Sequence, residues 1–245
     1  RVAAVLDMGG LENVHVVKAN VLGGKYVGGL VGQGSNFINC SIKNSVIVGT
    51  DKTVGGLVGY CSGDPDQASA TGNVVENVTV TGAYNVGGMF GQAQNVNVDG
   101  NTVKNATVIS SKALPANASS NEVRTAELAA RSAFANTTIG TNTVENVTLE
   151  NVTIHTCWGM GVIAQKCRDV TVRRCAVTPD EGRFFSAGQD ATHFVNCRGK
   201  ILIEDCLFEN QLDDAANLHG IYTLVEKATG NQILVRYAHF QTRGI

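Results

Sequence analysis

The chain has 245 residues, of which 43% are hydrophobic and 16% charged, and its formal net charge is -2. This composition is sufficient to bury a large core and excludes a disordered chain. The near-neutral charge argues against a nucleic-acid-binding protein, which would carry a basic surplus, and no apolar run is long enough for a membrane-spanning helix. Glycine is abundant at 28 residues and proline scarce at 3. With valine, threonine and asparagine recurring throughout, the composition favours short strands joined by tight turns.

One phrase recurs three times in the first half of the chain: YVGGLVG at 26–32, TVGGLVG at 53–59 and NVGGMFG at 85–91. The first glycines of the three GG pairs are 27 and 32 residues apart. Self-similarity at such a period is typical of stacked repeats, and here it predicts an all-β fold, a parallel β-solenoid. The phrase resembles the GLUG-motif repeats of bacterial surface proteins. That resemblance implies a repeat domain over residues 1–110 and carries no chemistry.

The repeat pattern stops at residues 111–140. Ser119 and Glu122 stand at capping-box spacing, and Val123, Leu128 and Phe134 follow in a helix-compatible pattern among alanines. We therefore predict one short helix near 120–135 that caps or covers the first solenoid. A flexible linker is the alternative, and it suits residues 114–120 better than the stretch after them.

Strand-like runs with period two resume after residue 140, which predicts a second solenoid section over 141–245, continuous with the first. The chain begins at Arg1 and stops at Ile245 directly after a strand-like run. We therefore expect it to be an internal piece of a longer protein, truncated at both ends of its second section. The seven cysteines include no CxxC pair. Small apolar residues stacked inside the coil are therefore a better interpretation than disulfides or a metal site.

Two segments carry polar residues that strand packing does not require: SAGQDATHFVNC at 186–197 and CLFENQLDDAANLHGIY at 206–222. They contribute Asp190, His193, Asp213, Asp214, Asn217 and His219. Asp190 and Asp213 are 23 residues apart, about one coil, and residues one coil apart lie roughly 4.8 Å from each other. The spacing predicts three carboxylates in one outward cluster, which is typical of a functional site. The alternative is a solvated loop with Asx-turns.

The phrases GMGVIAQKC, DATHFVNC and CLFENQLDDAANLHGIY resemble the alpha-1,3-galactosidases of glycoside hydrolase family 110, over residues 144–245. The resemblance implies a right-handed parallel β-helix of the pectin-lyase-like type. It also implies an inverting enzyme, without metal or cofactor, that removes terminal alpha-1,3-linked galactose from blood group B-type or linear glycans. By resemblance, Asp190, Asp213 and Asp214 form the catalytic cluster on the side of the attacking water. His193, Asn217 and His219 would hold galactose hydroxyls.

The opposing general acid has no counterpart among the matched phrases. We expect it to be a glutamate on a later coil, past Ile245, and Glu209 and Glu226 are the nearest stand-ins. A site without its acid should be severely impaired, so the 245-residue chain is expected to hydrolyse glycans poorly or not at all. Trp158, the only tryptophan, is a candidate for stacking on a sugar ring, with ordinary packing equally consistent.

Two further interpretations stay open from the sequence. One is a non-catalytic bacterial cell-surface solenoid, an adhesin or glycan-binding module, whose acidic cluster binds sugar or nothing. The other is a folded relic without activity. Both resemblances imply an extracellular, cell-surface or periplasmic location in a bacterium.

Overall fold

Equivalent strands of successive coils stack in parallel into sheets. A computed structural model shows this for the residues that it describes, which are 3, 10–64, 68–111, 138–139, 142–155, 157 and 159–237. The predicted parallel β-solenoid is therefore confirmed. The described residues form 27 strands, numbered here in chain order, and no helix. The helix predicted near 120–135 lies outside the described residues. Within the described part of the chain there is no helix long and apolar enough to cross a membrane.

One sheet extends through both halves of the chain and forms the continuous wall of the solenoid. Its strands pair in parallel from one coil to the next, and at its first end both β2 and β3 pair with β7. They are β2 (His15–Val17), β3 (Asn20–Gly23), β7 (Ser41–Gly49), β11 (Val74–Gly82), β15 (Thr102–Ser110), β17 (Thr143–Glu150), β20 (Arg168–Arg173) and β23 (Arg198–Glu204). Because β15 pairs directly with β17, the first and second sections share this wall.

Three shorter sheets complete the coils of the first half. The first contains β1 (Gly10–Glu12), β6 (Asn36–Ile38), β10 (Ser69–Thr71), β14 (Asn97–Asp99) and β16 (Thr138–Ile139). The second contains β4 (Val27–Gly28), β8 (Lys52–Gly55) and β12 (Tyr84–Gly87). The third contains β5 (Val31–Gly34), β9 (Val58–Ser62) and β13 (Phe90–Gln94).

Two three-stranded sheets complete the coils of the second half. One contains β18 (Thr153–His155), β21 (Ala176–Thr178) and β24 (Leu207–Phe208). The other contains β19 (Val162–Gln165), β22 (Thr192–Val195) and β25 (Ala216–His219). The last two strands, β26 (Thr223–Thr229) and β27 (Gln232–Tyr237), pair antiparallel as an exposed hairpin. At residues 223–237 the expectation of a further solenoid coil is therefore wrong.

The repeated GG phrases occupy equivalent places in three adjacent coils. Gly28 pairs with Gly55, and Gly55 pairs with Gly87. Between the glycines, Leu30, Leu57 and Met89 are fully buried and belong to the core of the first half. A side chain at Gly55 would overlap the carbonyl oxygen of Val58, so glycine is required for this close approach of the backbone.

Three of the seven cysteines are buried as the sequence predicts, and the other four, Cys157, Cys167, Cys197 and Cys206, are half-buried. All seven are free thiols, and Cys40, Cys61 and Cys175 are buried. Cys167, Cys197 and Cys206 pack against the core of the second half, which is built around Leu149, Val170, Val172 and Phe194.

A buried asparagine ladder joins the coils of the first half at the corner that precedes the long sheet. Oδ1 of Asn101 accepts two hydrogen bonds from Asn73, one from the main-chain N–H and one from the side-chain Nδ2 of Asn73, both at 2.9 Å. Its Nδ2 donates to the carbonyl oxygen of Ala70 at 2.8 Å and to Oδ1 of Asn142 at 3.0 Å. Asn73 and Asn101 are at most 1% exposed. Buried polar groups at this corner are therefore satisfied by amide side chains from the next coil.

Replacement of Asn101 by alanine is expected to lower the free energy of unfolding by about 3 kcal/mol, because it removes hydrogen bonds from buried polar groups of Asn73 and Ala70. Urea unfolding followed by circular dichroism measures the change. The matched control is Asn105→Gly, in an exposed ladder where Asn105 donates to Asn77 and has φ of 52°. We expect the control to change stability by less than about 1 kcal/mol. Equal losses in the two variants would contradict a special role for the buried amide.

Candidate carboxylate and histidine site

The two polar segments meet where β22 and β25 pair in parallel. The register matches Thr192 with Ala216, His193 with Asn217 and Val195 with His219. One coil is therefore 24 residues at this point, and Asp190 aligns with Asp214 rather than with Asp213. The interval of 23 residues between Asp190 and Asp213, interpreted from the sequence as about one coil, is one residue shorter than this register.

The structure brings the three aspartates together. Asp190, Asp213 and Asp214 each present a carboxylate oxygen within 4.8 Å of the others. Asp213 and Asp214 are exposed, as expected of an outward cluster, whereas Asp190 is only 2% exposed. The cluster is thus one buried carboxylate beneath two at the surface. Surface carboxylates often gather without any ion, so this spacing alone does not indicate a metal.

Both carboxylate oxygens of Asp190 form hydrogen bonds. Oδ2 pairs with Nδ1 of His193, and Oδ1 accepts a hydrogen bond from the main-chain N–H of Asp214 at 3.2 Å. His193 is 4% exposed. A buried carboxylate is stable only with such partners. Asp190 therefore orients the backbone that carries Asp214, and at the same time fixes the ring of His193.

The two histidines are connected to each other. Nε2 of His193 lies 3.0 Å from Nε2 of His219, with the rings edge to face at 77°. Nδ1 of His219 lies 2.8 Å from the carbonyl oxygen of Gly220, so this nitrogen is the donor. Asp190, His193 and His219 therefore form one continuous hydrogen-bonded chain from the interior to the surface.

The remaining predicted residues are placed as follows. Asn217 is half-buried beside His193 on the neighbouring coil. Glu209 is exposed at the end of β24, and its main-chain N–H donates to the carbonyl oxygen of Val177. Glu226 forms an ion pair with Arg236 at 2.6 Å on the terminal hairpin. Trp158 lies outside the described residues.

Sequence reasoning missed the residues that hold the two loops together. Oγ of Ser186 donates to the carbonyl oxygen of Glu209 at 2.6 Å, and Oγ1 of Thr192 donates to that of Ala215 at 3.0 Å. Both hydroxyl residues are fully buried. The sequence did contain an indication of this role: Ser186 and Thr192 are polar residues in the phrase SAGQDATHF, where core packing alone favours apolar side chains. Gln211 also escaped notice, and its buried Oε1 has no hydrogen-bond partner among the described residues.

Fold and site together define a class: a parallel β-solenoid that carries a carboxylate and histidine cluster on adjacent coils. The chain is 41% identical over 95 residues to alpha-1,3-galactosidase A of Shewanella woodyi, a match that covers 38% of this chain and 16% of that protein. It is 40% identical over 95 residues to alpha-1,3-galactosidase B of Bacteroides fragilis, covering 37% of this chain and 16% of that protein. The chain thus corresponds to about a sixth of the length of these curated relatives.

No protein-family model matches the chain, and the likeness of the first half to GLUG-type repeats stays a prediction. Among solved structures, the surface protein and adhesin PfbA of Streptococcus pneumoniae is 11% identical, with 86% of this chain and 68% of that chain covered. The TM-score of 0.22 is too low to support any conclusion about fold or function.

Proposed function

We propose that the second half of this chain carries the water-activating side of a glycoside hydrolase site that removes terminal alpha-1,3-linked galactose with inversion. The observation that carries the proposal is the convergence of three carboxylates from two adjacent coils to within 4.8 Å. Identity of about 40% over 95 residues to proteins named alpha-1,3-galactosidase supports it. The sequence resemblance on which we draw covers a segment of similar length, residues 144–245.

In this proposal the three carboxylates lie on one side of the sugar. An inverting glycosidase places its general acid and its general base about 6.5–9.5 Å apart, with the attacking water between the base and the sugar. The oxygens of Asp190, Asp213 and Asp214 are closer together than that. Asp213 and Asp214, which are exposed, therefore bind and deprotonate the water. Buried Asp190 positions Asp214 through its backbone N–H.

The histidines and Asn217 face the sugar side in this proposal, but with unequal roles. His193 has both ring nitrogens engaged and is almost fully buried. It therefore positions His219 instead of contacting galactose. Asn217 is half-buried and can reach a hydroxyl group. His219 is also half-buried, and it reaches one only by giving up a ring hydrogen bond to His193 or to Gly220. Trp158 is retained as a candidate for stacking on the ring.

The opposing general acid is proposed to be a glutamate outside these two coils. Glu226 is occupied by its ion pair with Arg236, which leaves the exposed Glu209 as the alternative within the chain. The substrate class is a galactose-terminated glycan, of blood group B type or linear. The proposed location is extracellular, at the cell surface or in the periplasm of a bacterium.

Two substrates separate the water side of the site from the acid side. p-Nitrophenyl alpha-galactoside has a good leaving group and needs little help from an acid, whereas a B-type trisaccharide needs protonation of its leaving oxygen. We expect the chain to turn over the aryl galactoside and to cleave the trisaccharide far more slowly. Asp213→Asn should lower the aryl galactosidase rate about 10²–10⁴-fold.

Asp205→Asn is the matched control for the activity test. Asp205 is an exposed aspartate at a corner with φ of 54°, which asparagine also tolerates. This variant should retain full activity. Absence of turnover of the aryl galactoside, which needs little help from an acid, would remove the enzyme proposal. Binding of the trisaccharide without any turnover would instead favour the glycan-binding solenoid.

A further inference from the structure

The cysteines of the second half form two columns that the proposed hydrolase function does not use. Cys167 and Cys175 lie on one coil, and Cys197 and Cys206 lie on the next. Each follows a corner residue with positive φ, between 50° and 54°. The columns therefore sit at two different corners of the solenoid, where the chain turns into and out of the long sheet.

Cys167 and Cys197 stack directly across the interval between two coils. The N–H of Arg198 donates to the carbonyl oxygen of Cys167 at 2.8 Å, and Arg168 pairs with Arg198. The spacing of paired strands, roughly 4.8 Å, falls within the separation of Cα atoms that a disulfide spans. The register shifts immediately after this point, between Arg168 and Val170. This corner is consequently less regular than the strands and can adjust to a bridge.

The two thiols also interact with each other. Sγ of Cys197 lies 3.4 Å from the carbonyl oxygen of Ala164, and Sγ of Cys167 lies 3.3 Å from that of Gln165. Hydrogen bonding by the neighbouring Cys167 lowers the pKa of Cys197 to about 7, against the opposing effect of burial. The pKa of Cys167 is raised, first by the same hydrogen bond and then by burial. Burial raises the pKa of Cys175 to about 11 and that of Cys61 to about 12. Cys197 is thus distinguished from these two buried thiols by its readiness to form a thiolate.

A cationic surface pocket adjoins this pair. It has a volume of about 190 Å³ and is lined by Lys166, Asn196 and Arg198. Each lining residue is a chain neighbour of Cys167 or Cys197. Lys166 and Arg198 are exposed, and neither forms an ion pair with another residue in the described part of the chain. Neither cysteine is among the lining residues, and the two cations of the pocket suit a ligand that carries carboxylates.

We propose that Cys167 and Cys197 form a thiol–disulfide exchange site for a small anionic disulfide, such as glutathione disulfide, and close to a bridge between adjacent coils. The Cys197 thiolate attacks one sulfur of the ligand, the ligand S–S bond breaks, and one thiolate leaves and takes up a proton. Cys167 then gives up its proton, attacks the sulfur of Cys197 and releases the second thiol. Two protein thiols are oxidised while one disulfide is reduced to two thiols. This inference is independent of the proposed hydrolase function.

Incubation with glutathione disulfide without oxygen, quenching with N-ethylmaleimide and peptide mapping test the proposal. We expect a cross-linked pair of peptides containing Cys167 and Cys197, lighter than the two free peptides by about 2 Da. Cys167→Ala should stop the reaction at a glutathione adduct on Cys197, whereas the matched variant Cys206→Ala should still form the bridge. An absent bridge, or one formed equally fast between Cys175 and Cys206, would overturn the proposal.

Two rate measurements test the thiol and the pocket separately. At pH 7 about half of Cys197 would be thiolate, and after allowance for its lower nucleophilicity its alkylation should be about threefold faster than that of an ordinary cysteine. Cys167→Ala should abolish this advantage. Lys166→Gln with Arg198→Gln should slow the reaction with glutathione disulfide about threefold and leave that with neutral hydroxyethyl disulfide unchanged. Equal slowing of both disulfides would contradict the role of the pocket.

Discussion

Replacement of Gly55 by alanine is expected to cost on the order of 4–5 kcal/mol of folding free energy, enough to unfold the first half of the solenoid. The new Cβ would overlap the carbonyl oxygen of Val58 and would lie 2.6 Å from the N of Gly91 and 2.7 Å from the carbonyl oxygen of Met89. All three are main-chain atoms, so no side-chain rotation can relieve the overlap. The coils would have to separate, which would break hydrogen bonds in the adjacent sheets.

Gly24 provides the matched control, because a Cβ at this position meets no atom within 4 Å. Gly24→Ala should change the urea midpoint little, whereas Gly55→Ala should give a chain that is unfolded or unfolds at much lower urea. If the two variants unfolded at the same urea concentration, the close approach of the coils at the GG phrase would not be essential to the fold.

Asp190→Asn is expected to destabilise the chain by about 3 kcal/mol, because it breaks the buried hydrogen bond between the carboxylate of Asp190 and the ring of His193. The new amide cannot accept the hydrogen bond of His193 at the position of Oδ2 and still keep its oxygen on the N–H of Asp214. Asp190 and His193 are at most 4% exposed, so water cannot replace the partner that His193 loses. Urea unfolding monitored by tryptophan fluorescence and circular dichroism would measure the loss.

Asp213→Asn is the control for this effect, because Asp213 is exposed and its neutralisation should change stability by less than about 0.5 kcal/mol. In the proposed site, Asp213→Asn loses activity with its fold intact, whereas Asp190→Asn loses both. Unchanged stability of Asp190→Asn would be inconsistent with the buried pair.

Much of the fold could be predicted because stacked coils repeat their sequence requirements. The glycines at 28, 55 and 87 mark the same backbone approach three times, and the structure pairs them with one another. The terminal hairpin could not be predicted in the same way. Its strands alternate as a coil strand does, and only the turn at residues 230–231 directs β27 back along β26. Period-two patterning predicts a strand but not its partner.

The sequence predicted which residues form the site, but it did not predict how deeply each of them is buried. The spacing of Asp190 and the Asp213–Asp214 pair predicted that they would meet, because coil length alone controls that distance. The burial of Asp190 depends on whether its loop directs the side chain inward or outward, and the periodicity of the strands does not predict this direction. The contact between His193 and His219 likewise requires the 24-residue register of β22 and β25, which differs by one from the interval that we read from the aspartates.

The buried asparagine ladder gives the solenoid a direction. Asn73 accepts from the N–H of Cys40 and donates to the carbonyl oxygen of Phe37, and Asn142 does the same for Asn101 and Val98. Each amide thereby satisfies buried main-chain groups at the corner of the preceding coil. The corner of a coil is therefore fully hydrogen-bonded only when the next coil is folded. The dependence therefore runs in one direction along the axis, because each corner needs the coil that follows it. Fraying that starts at the later end of the ladder undoes each preceding corner in turn, whereas the loss of the earliest coil leaves the corners beyond it closed.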